Sequence, residues 1–233
     1  MTTTDIISAV RFCIDEEASD SIDFGRASAN DNTRMDNIIK NKIGDALRWV
    51  CLYAPADLLG GTDETGTNTG ILVDVTATPT SVPVSNPAHG VLTMSEDFIR
   101  LVRVRAKGWH RAVKVPLSED SEEYLQLYDP NGATATIDRP QAALIEKAQR
   151  QIEVWPWATG DGEVDYTYVA SAEPAAITGQ GGAVIGYALP PKAKSAFIYY
   201  LAFLLLSAYA DARAPRMLEI AKMNLGKTRE EQE

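Results

Sequence analysis

Three carboxylates, Asp161, Glu163 and Asp165, alternate along a segment whose intervening and following positions include Val164, Tyr166 and Tyr168. Side chains two residues apart leave a strand on the same face, so the acids would share one face and the apolar residues the other. Three carboxylates on one face can gather a cation. The calcium-loop spacing, alternating acids followed by a glycine and a distant glutamate, is absent, and a solvated strand face is the plainer reading. A further option sets the acids against Arg103, Arg105 and Lys107, which also share one strand face, as ion pairs across strands or between subunits. That pairing is the preferred reading.

The other reactive side chains lack partners at useful spacing. His89 follows Pro87 and Ala88, His110 follows Trp109, and both read as surface or turn histidines without a triad or metal set. Gly60–Gly61 and the glycines from 179 to 182 lack the phosphate-loop Lys-Ser/Thr and the dinucleotide fingerprint, so they read as linkers. Neighbouring acids such as Glu96 with Asp97, or Glu122 with Glu123, diverge in direction, and nothing splits their pKa values for acid–base work. The basic row 103–107 has no interleaved exposed aromatics to stack single-stranded bases. No active site, cofactor site or metal site is legible. Trp155 and Trp157 flank Pro156, and by alternation both point away from the face of Ile152 and Val154, toward the helical part or a neighbouring subunit.

Composition narrows the class. The 233 residues fit one large domain or a domain with an insertion, and 45% apolar with 23% charged residues is a globular balance. A formal charge of −10 repels polyphosphate, which disfavours generic nucleic-acid binding while permitting a wall past which DNA slides. Cys13 and Cys51 are too few for a disulfide framework and read as reduced core thiols. Met1 to Asp5 carries no basic region of a signal peptide, and the fifteen uncharged residues from Ala196 to Ala210 fall short of the roughly 20 a bilayer core requires. That stretch suits a helix buried by neighbours.

Periodicity then supplies the elements. Ile6, Ile7, Val10, Cys13 and Ile14 predict a helix from Thr4 to about Glu17; Ile38, Ile39, Ile43, Ala46, Leu47 and Val50 predict a second from Met35 to about Tyr53, after a loop over Asp15 to Asn32. Thr62 to Gly70 reads as a mobile loop. Short alternating segments at Ile71–Val75, Phe98–Lys107, Ala112–Leu117, Ala133–Asp138, Gln141–Lys147, Gln151–Trp157 and Glu163–Ala170 predict an antiparallel β module, interrupted by a short helix in Ser118 to Leu127. Ala172 to Pro191 reads as a return linker. Helices resume from Pro190–Pro191 to about Arg213 and from Met217 to Leu225, ended by Gly226. The expected fold class is α+β: a helical bundle formed by the N- and C-terminal helices with an inserted antiparallel β module. The expected divisions are 1–60, N-terminal helices; 61–95, loop and entry strand; 96–171, β module; 172–191, linker; 192–233, C-terminal helices and tail.

The run Ser95-Glu96-Asp97-Phe98-Ile99-Arg100-Leu101-Val102-Arg103-Val104, then Gly108 to Val113, with the short helix in Ser118 to Tyr128, resembles the first hairpin of tailed-phage head-to-tail adaptor proteins. Gln151 to Pro156, the turn at Gly160 to Gly162, and Val164 to Tyr168 are similar to that family's later hairpin; the Phe197 to Ala214 helix, with Tyr199, Tyr200 and Asp211, and the Met217 to Leu225 helix complete the likeness. The resemblance implies a non-enzymatic virion protein, a connector ring of short-tailed or crAss-like phages. It implies a dodecameric homo-oligomer docked under the portal, joining it to the tail or further rings and passing genomic DNA without specific binding. No cofactor and no membrane partner are implied, and assembly would occur in the host cytoplasm. Met217, Ile220, Leu225, Lys227 and Arg229 would dock to the portal; Arg103, Arg105, Lys107, Trp155, Trp157, Asp161, Glu163 and Asp165 would serve subunit interfaces. Rival readings are a carboxylate-dependent hydrolase using Asp161, Glu163 or Asp165, and a carbohydrate-binding module using the tryptophans.

Overall fold

The computed structural model describes residues 1–16, 29–60, 71–82, 88–129, 135–145, 150–158, 160–172, 175–179, 182–187 and 189–226. The fold is α+β, with six helices and ten strands among the described residues. The chain divides into two compact units, Met1–Ile71 with Ser171–Glu233, and Leu72–Ala170.

In the first unit the helices are α1 (Thr3–Glu16), α2 (Ala29–Tyr53), α3 (Ala56–Leu59), α5 (Pro191–Ala208) and α6 (Ala214–Leu225). Helix α5 packs against α1, α2 and α6. Its sequence is apolar around most of its circumference, so it must be covered on several sides, and Phe197, Leu201, Leu205 and Leu206 are fully buried. Trp49 of α2 stacks on Tyr200 of α5 with ring centroids 4.1 Å apart. Asp211 holds Arg213 through Nε and Nη2 at 3.0 and 2.9 Å, and Arg213 Nη1 donates to the Ile14 carbonyl, tying the end of α1 to the α5–α6 turn. The Arg213 guanidinium hydrogen bond holds the Asp211 carboxyl below the ordinary aspartate range. Among the described residues, no helix is long and apolar enough to cross a membrane.

The second unit holds β1 (Leu72–Ala77), β2 (Thr80–Val82), β3 (His89–Thr93), β4 (Phe98–Ala106), β5 (Leu117–Ser118), α4 (Glu122–Tyr128), β6 (Gln141–Ile145), β7 (Gln151–Trp155) and β8 (Val164–Ala170). They form a three-stranded sheet, β1-β8-β4, and a five-stranded sheet, β2-β3-β7-β6-β5. Pairing is antiparallel except between β5 and β6. One core joins the two sheets: Val164, Tyr166, Tyr168, Leu101 and Val104 from the first meet Leu92, Ala142, Ile152 and Val154 from the second. A smaller cluster, Leu127, Ala135 and Trp155 with Leu117 and Tyr124, lies where α4 covers the five-stranded sheet.

Several boundaries differ from the periodic reading. Helix α2 begins at Ala29 rather than Met35, because its first turns are polar and carry no apolar stripe. The short helix is capped by Ser121, whose hydroxyl accepts the Tyr124 amide at 3.2 Å, and not by Ser118. Ala112–Leu117 is reduced to a bridge between Val113 and Val104 and the first residue of β5, and Thr136 to Arg139 forms a turn where a strand was expected. The expected linker after Ala172 contains an antiparallel hairpin, β9 (Ala175–Gly179) with β10 (Gly182–Gly186), hidden by its glycine and alanine content. The expected loop Thr62 to Gly70 lies outside the described residues.

Gly90 fixes the close approach of β3 to its cover. A Cβ there would stand 2.6 Å from Pro79 Cβ and 2.9 Å from the Trp157 ring. Neither neighbour is the free end of a flexible chain, so Gly90→Ala is expected to destabilise this unit by about 1–3 kcal/mol, read as a lowered urea midpoint. An unchanged midpoint would show that Trp157 does not press on this strand.

Candidate interaction face

The three-stranded sheet turns Val73, Val75, Val164, Tyr166 and Tyr168 into the core. Alternation therefore puts Asp74, Thr76, Asp165 and Thr167 on the opposite face. Irregularities in register between Phe98 and Arg100, and between Leu101 and Arg103, bring Arg103 opposite Thr167 and Arg105 opposite Asp165. The strand order then separates charge: bases stand on the edge strand β4, acids on the central β8 and the far edge β1.

A hydrogen-bonded row crosses all three strands. Arg103 Nε donates to Thr167 Oγ1 at 2.9 Å, Thr167 Oγ1 donates to Asp74 Oδ1, and Arg103 Nη2 lies 3.5 Å from Asp74. Both charged side chains stay mostly exposed, 61% and 71%. In the next row Thr76 Oγ1 donates to Asp165 Oδ1 at 2.6 Å, and Arg105 Nε donates to the Trp109 carbonyl at 3.3 Å. Arg105, Lys107, Glu163 and Asp165 line a shallow open groove at the end of this face. Exposed ion pairs of this kind add about 0–1 kcal/mol to stability, so the row matters more for what it can meet than for holding the sheet.

The acidic trio does not share a strand face. Strand β8 starts at Val164, and Asp161 lies in the preceding turn, where its Oδ2 accepts the Ala158 amide at 2.7 Å. Glu163 and Asp165 remain together at the groove. Among the described residues, no three His, Cys, Asp or Glu side chains gather to hold a metal ion.

The tryptophans are core residues on different faces. Strand β7 ends at Trp155, so alternation does not carry past Pro156: Trp157 joins Ile152 and Val154 in the main core, and Trp155 lies under α4. Both are buried, with Trp109 Nε1 bonding the Pro156 carbonyl and Trp157 Nε1 the Gly162 carbonyl. Neither presents a face to sugar or to a neighbouring copy. On α6, Met217 and Leu225 are buried, Ile220 is half-buried, and the exposed apolar residue is Met223 at 77%. Lys227 and Arg229 lie outside the described residues. Cys13 is half-buried and Cys51 buried.

Periodicity missed a second constellation. His89 is buried, on a strand rather than in a surface loop, and stacks on Trp155 with centroids 4.0 Å apart. Its Nε2 lies 3.9 Å from Glu153 Oε1, and Glu153 Oε2 accepts the hydroxyls of Tyr124 at 3.1 Å and Tyr128 at 2.8 Å. Burial pushes the His89 imidazole below its usual pKa against the raising influence of Glu153, and burial raises both tyrosines. The only signal in the sequence was the alternation of His89, Val91 and Thr93 against Gly90 and Leu92. His110, by contrast, is exposed and meets Asp138 at 2.5 Å.

A histidine depressed in the fold stabilises it fully above its unfolded pKa, near 6.5, and loses that stabilisation as pH falls toward the folded value, because the unfolded chain takes the proton first. Wild type is expected to lose more stability than His89→Gln between pH 7.5 and 5.0, measured by denaturant unfolding at each pH. Parallel losses would show that His89 carries no such linkage. In comparisons with known proteins, no family model matches this chain and no curated protein matches it.

Proposed function

We propose that the chain is a non-enzymatic structural subunit of a tailed-phage head-to-tail connector, one copy in a closed, dodecameric ring that joins portal to tail. The observation that carries this reading is the charge-divided outer face of β1-β8-β4, with Arg103 and Arg105 on one edge strand and Asp74 on the other. A ring built head to tail needs two different, complementary patches on each subunit, and a face basic at one edge and acidic at the other supplies both.

In this reading the helices of the chain's two ends form a bundle, and Leu72–Ala170 is its β insert. Helix α6 docks to the portal through Ile220 and the exposed Met223, with Lys227 and Arg229 following; Met217 and Leu225 seat the helix on its own unit. The net charge of −10 suits a channel past which genomic DNA slides without being held. The protein then belongs in the neck of the virion.

Electron microscopy of the purified chain mixed with the portal protein of the same phage tests the role. The expected result is a ring seated coaxially on the portal. Portal particles that stay bare at micromolar concentrations of both proteins would contradict it.

A further inference from the structure

The cluster of His89, Glu153, Tyr124 and Tyr128 joins a short helix to a sheet through a titratable pair, and its argument is independent of the assembly reading. Helix α4 has seven residues, and its only buried one is Leu127. Two tyrosine hydroxyls fasten it to Glu153. Tyr128 meets both Trp155, at 5.0 Å between centroids, and His89, at 5.7 Å, edge to face, so this helix supplies the cover over the imidazole–indole stack.

We propose that protonation of His89 releases α4 from the five-stranded sheet, so that the helix acts as a pH-operated latch over Trp155. Among the described residues, the titratable groups that meet the imidazole include Glu153 from β7 and Tyr128 from α4; Tyr124 of α4 shares the Glu153 carboxylate, and Glu119 acts on Tyr124 from the turn before the helix. The flanking strands β2 and β6, Thr80–Val82 and Gln141–Ile145, carry no charged side chain. The proton comes from solvent and no bond between heavy atoms changes. An imidazolium in this place is desolvated, with the Glu153 carboxylate beside it and two hydroxyls competing for that carboxylate.

Two routes relieve the charge: Glu153 turns from the tyrosines to the imidazolium, or the cover lifts and water reaches it. Both detach α4. Strand β3 is paired on both sides, by β2 and β7, so the helix is the element that gives way at least cost. Trp155 Nε1 is buried with no acceptor, and opening gives that donor a water partner, which offsets part of the cost.

Hydrogen exchange of the full chain at pH 7.5 and 5.0, corrected for the intrinsic rate, tests the latch. Wild type is expected to lose at least about tenfold protection at residues 122–128 on acidification while β6 and β7 keep theirs. His89→Gln, which cannot take the charge, is expected to show no such loss. Equal loss in this variant, or unchanged α4 protection in wild type, would overturn the proposal. Should the variant fail to fold, NMR of wild type decides: the pH midpoint of α4 opening must coincide with the titration of the His89 ring, and separate midpoints refute the latch.

Discussion

Phe197→Ala is expected to lower the stability of the helical unit by about 3–5 kcal/mol, among the largest effects of any single substitution in this chain. Phe197 is fully buried on α5, the helix that packs against α1, α2 and α6. Truncation removes the transfer energy of an aromatic ring and leaves a void that three neighbouring helices cannot all close at once. Since small domains are stable by only about 5–15 kcal/mol, a loss of this size leaves the variant partly unfolded or prone to aggregate near 37 °C. Urea unfolding followed by far-ultraviolet circular dichroism reads the loss. Phe12→Ala is the control: the same ring on α1 is 62% exposed, and its removal is expected to shift stability by no more than about 0.5 kcal/mol. Equal losses at the two sites would mean that α5 is not the centre of its unit.

The second large effect concerns assembly rather than folding. Arg103→Glu with Arg105→Glu makes the basic edge of the outer sheet face acidic, so in the proposed ring every contact between a basic and an acidic edge would become one between two acidic ones. Assembly is expected to fall by at least about tenfold in concentration dependence, while each chain stays folded, because the exposed pair adds little to its own sheet. Asp74→Lys with Asp165→Lys is expected to fail in the same way by making the far edge and the central strand basic as well. An equimolar mixture of the two double variants restores opposite charges at every contact and is expected to assemble where neither does alone. Analytical ultracentrifugation of the three samples at matched ionic strength reads this directly. A mixture that stays dissociated would remove this face from the interface, and a wild type insensitive to salt would argue the same way.

The sequence was legible where one period ran cleanly through an element. Helix α5 has too little polar surface to stand in water, and β8 alternates Val164, Tyr166 and Tyr168 against Asp165 and Thr167, so both could be placed with the correct residues facing inward. Legibility failed where the controlling contact lies far along the chain. The short alternation from His89 to Thr93 can mark a strand but not a buried histidine; His89 is buried because β7 and α4 bring Trp155 and Tyr128 against it. Trp157 followed the same pattern. Strict alternation predicts that it shares a face with Trp155, but the strand ends between them, and Trp157 closes over Gly90 instead.

Of the candidate site, Arg103, Arg105 and Asp165 could be named in advance because they lie on alternating strands, and Arg105 does stand opposite Asp165. Asp74 could not, since its part in the Arg103–Thr167 row depends on the order β1-β8-β4, which no local pattern encodes. On α6 the buried stripe of Met217, Ala221 and Leu225 identified the helix but pointed to its inner side, and the exposed Met223 follows only once that side is known.

In the proposed role the chain makes surfaces for further copies of itself. Mass photometry of the unmodified protein across nanomolar to micromolar concentration tests it most directly, since one subunit contributes 25.3 kDa. The expected result is a population that converges with concentration on a single closed oligomer of many subunits. A species of one subunit's mass throughout, with no larger form even at the highest concentration and lowest salt, would contradict it.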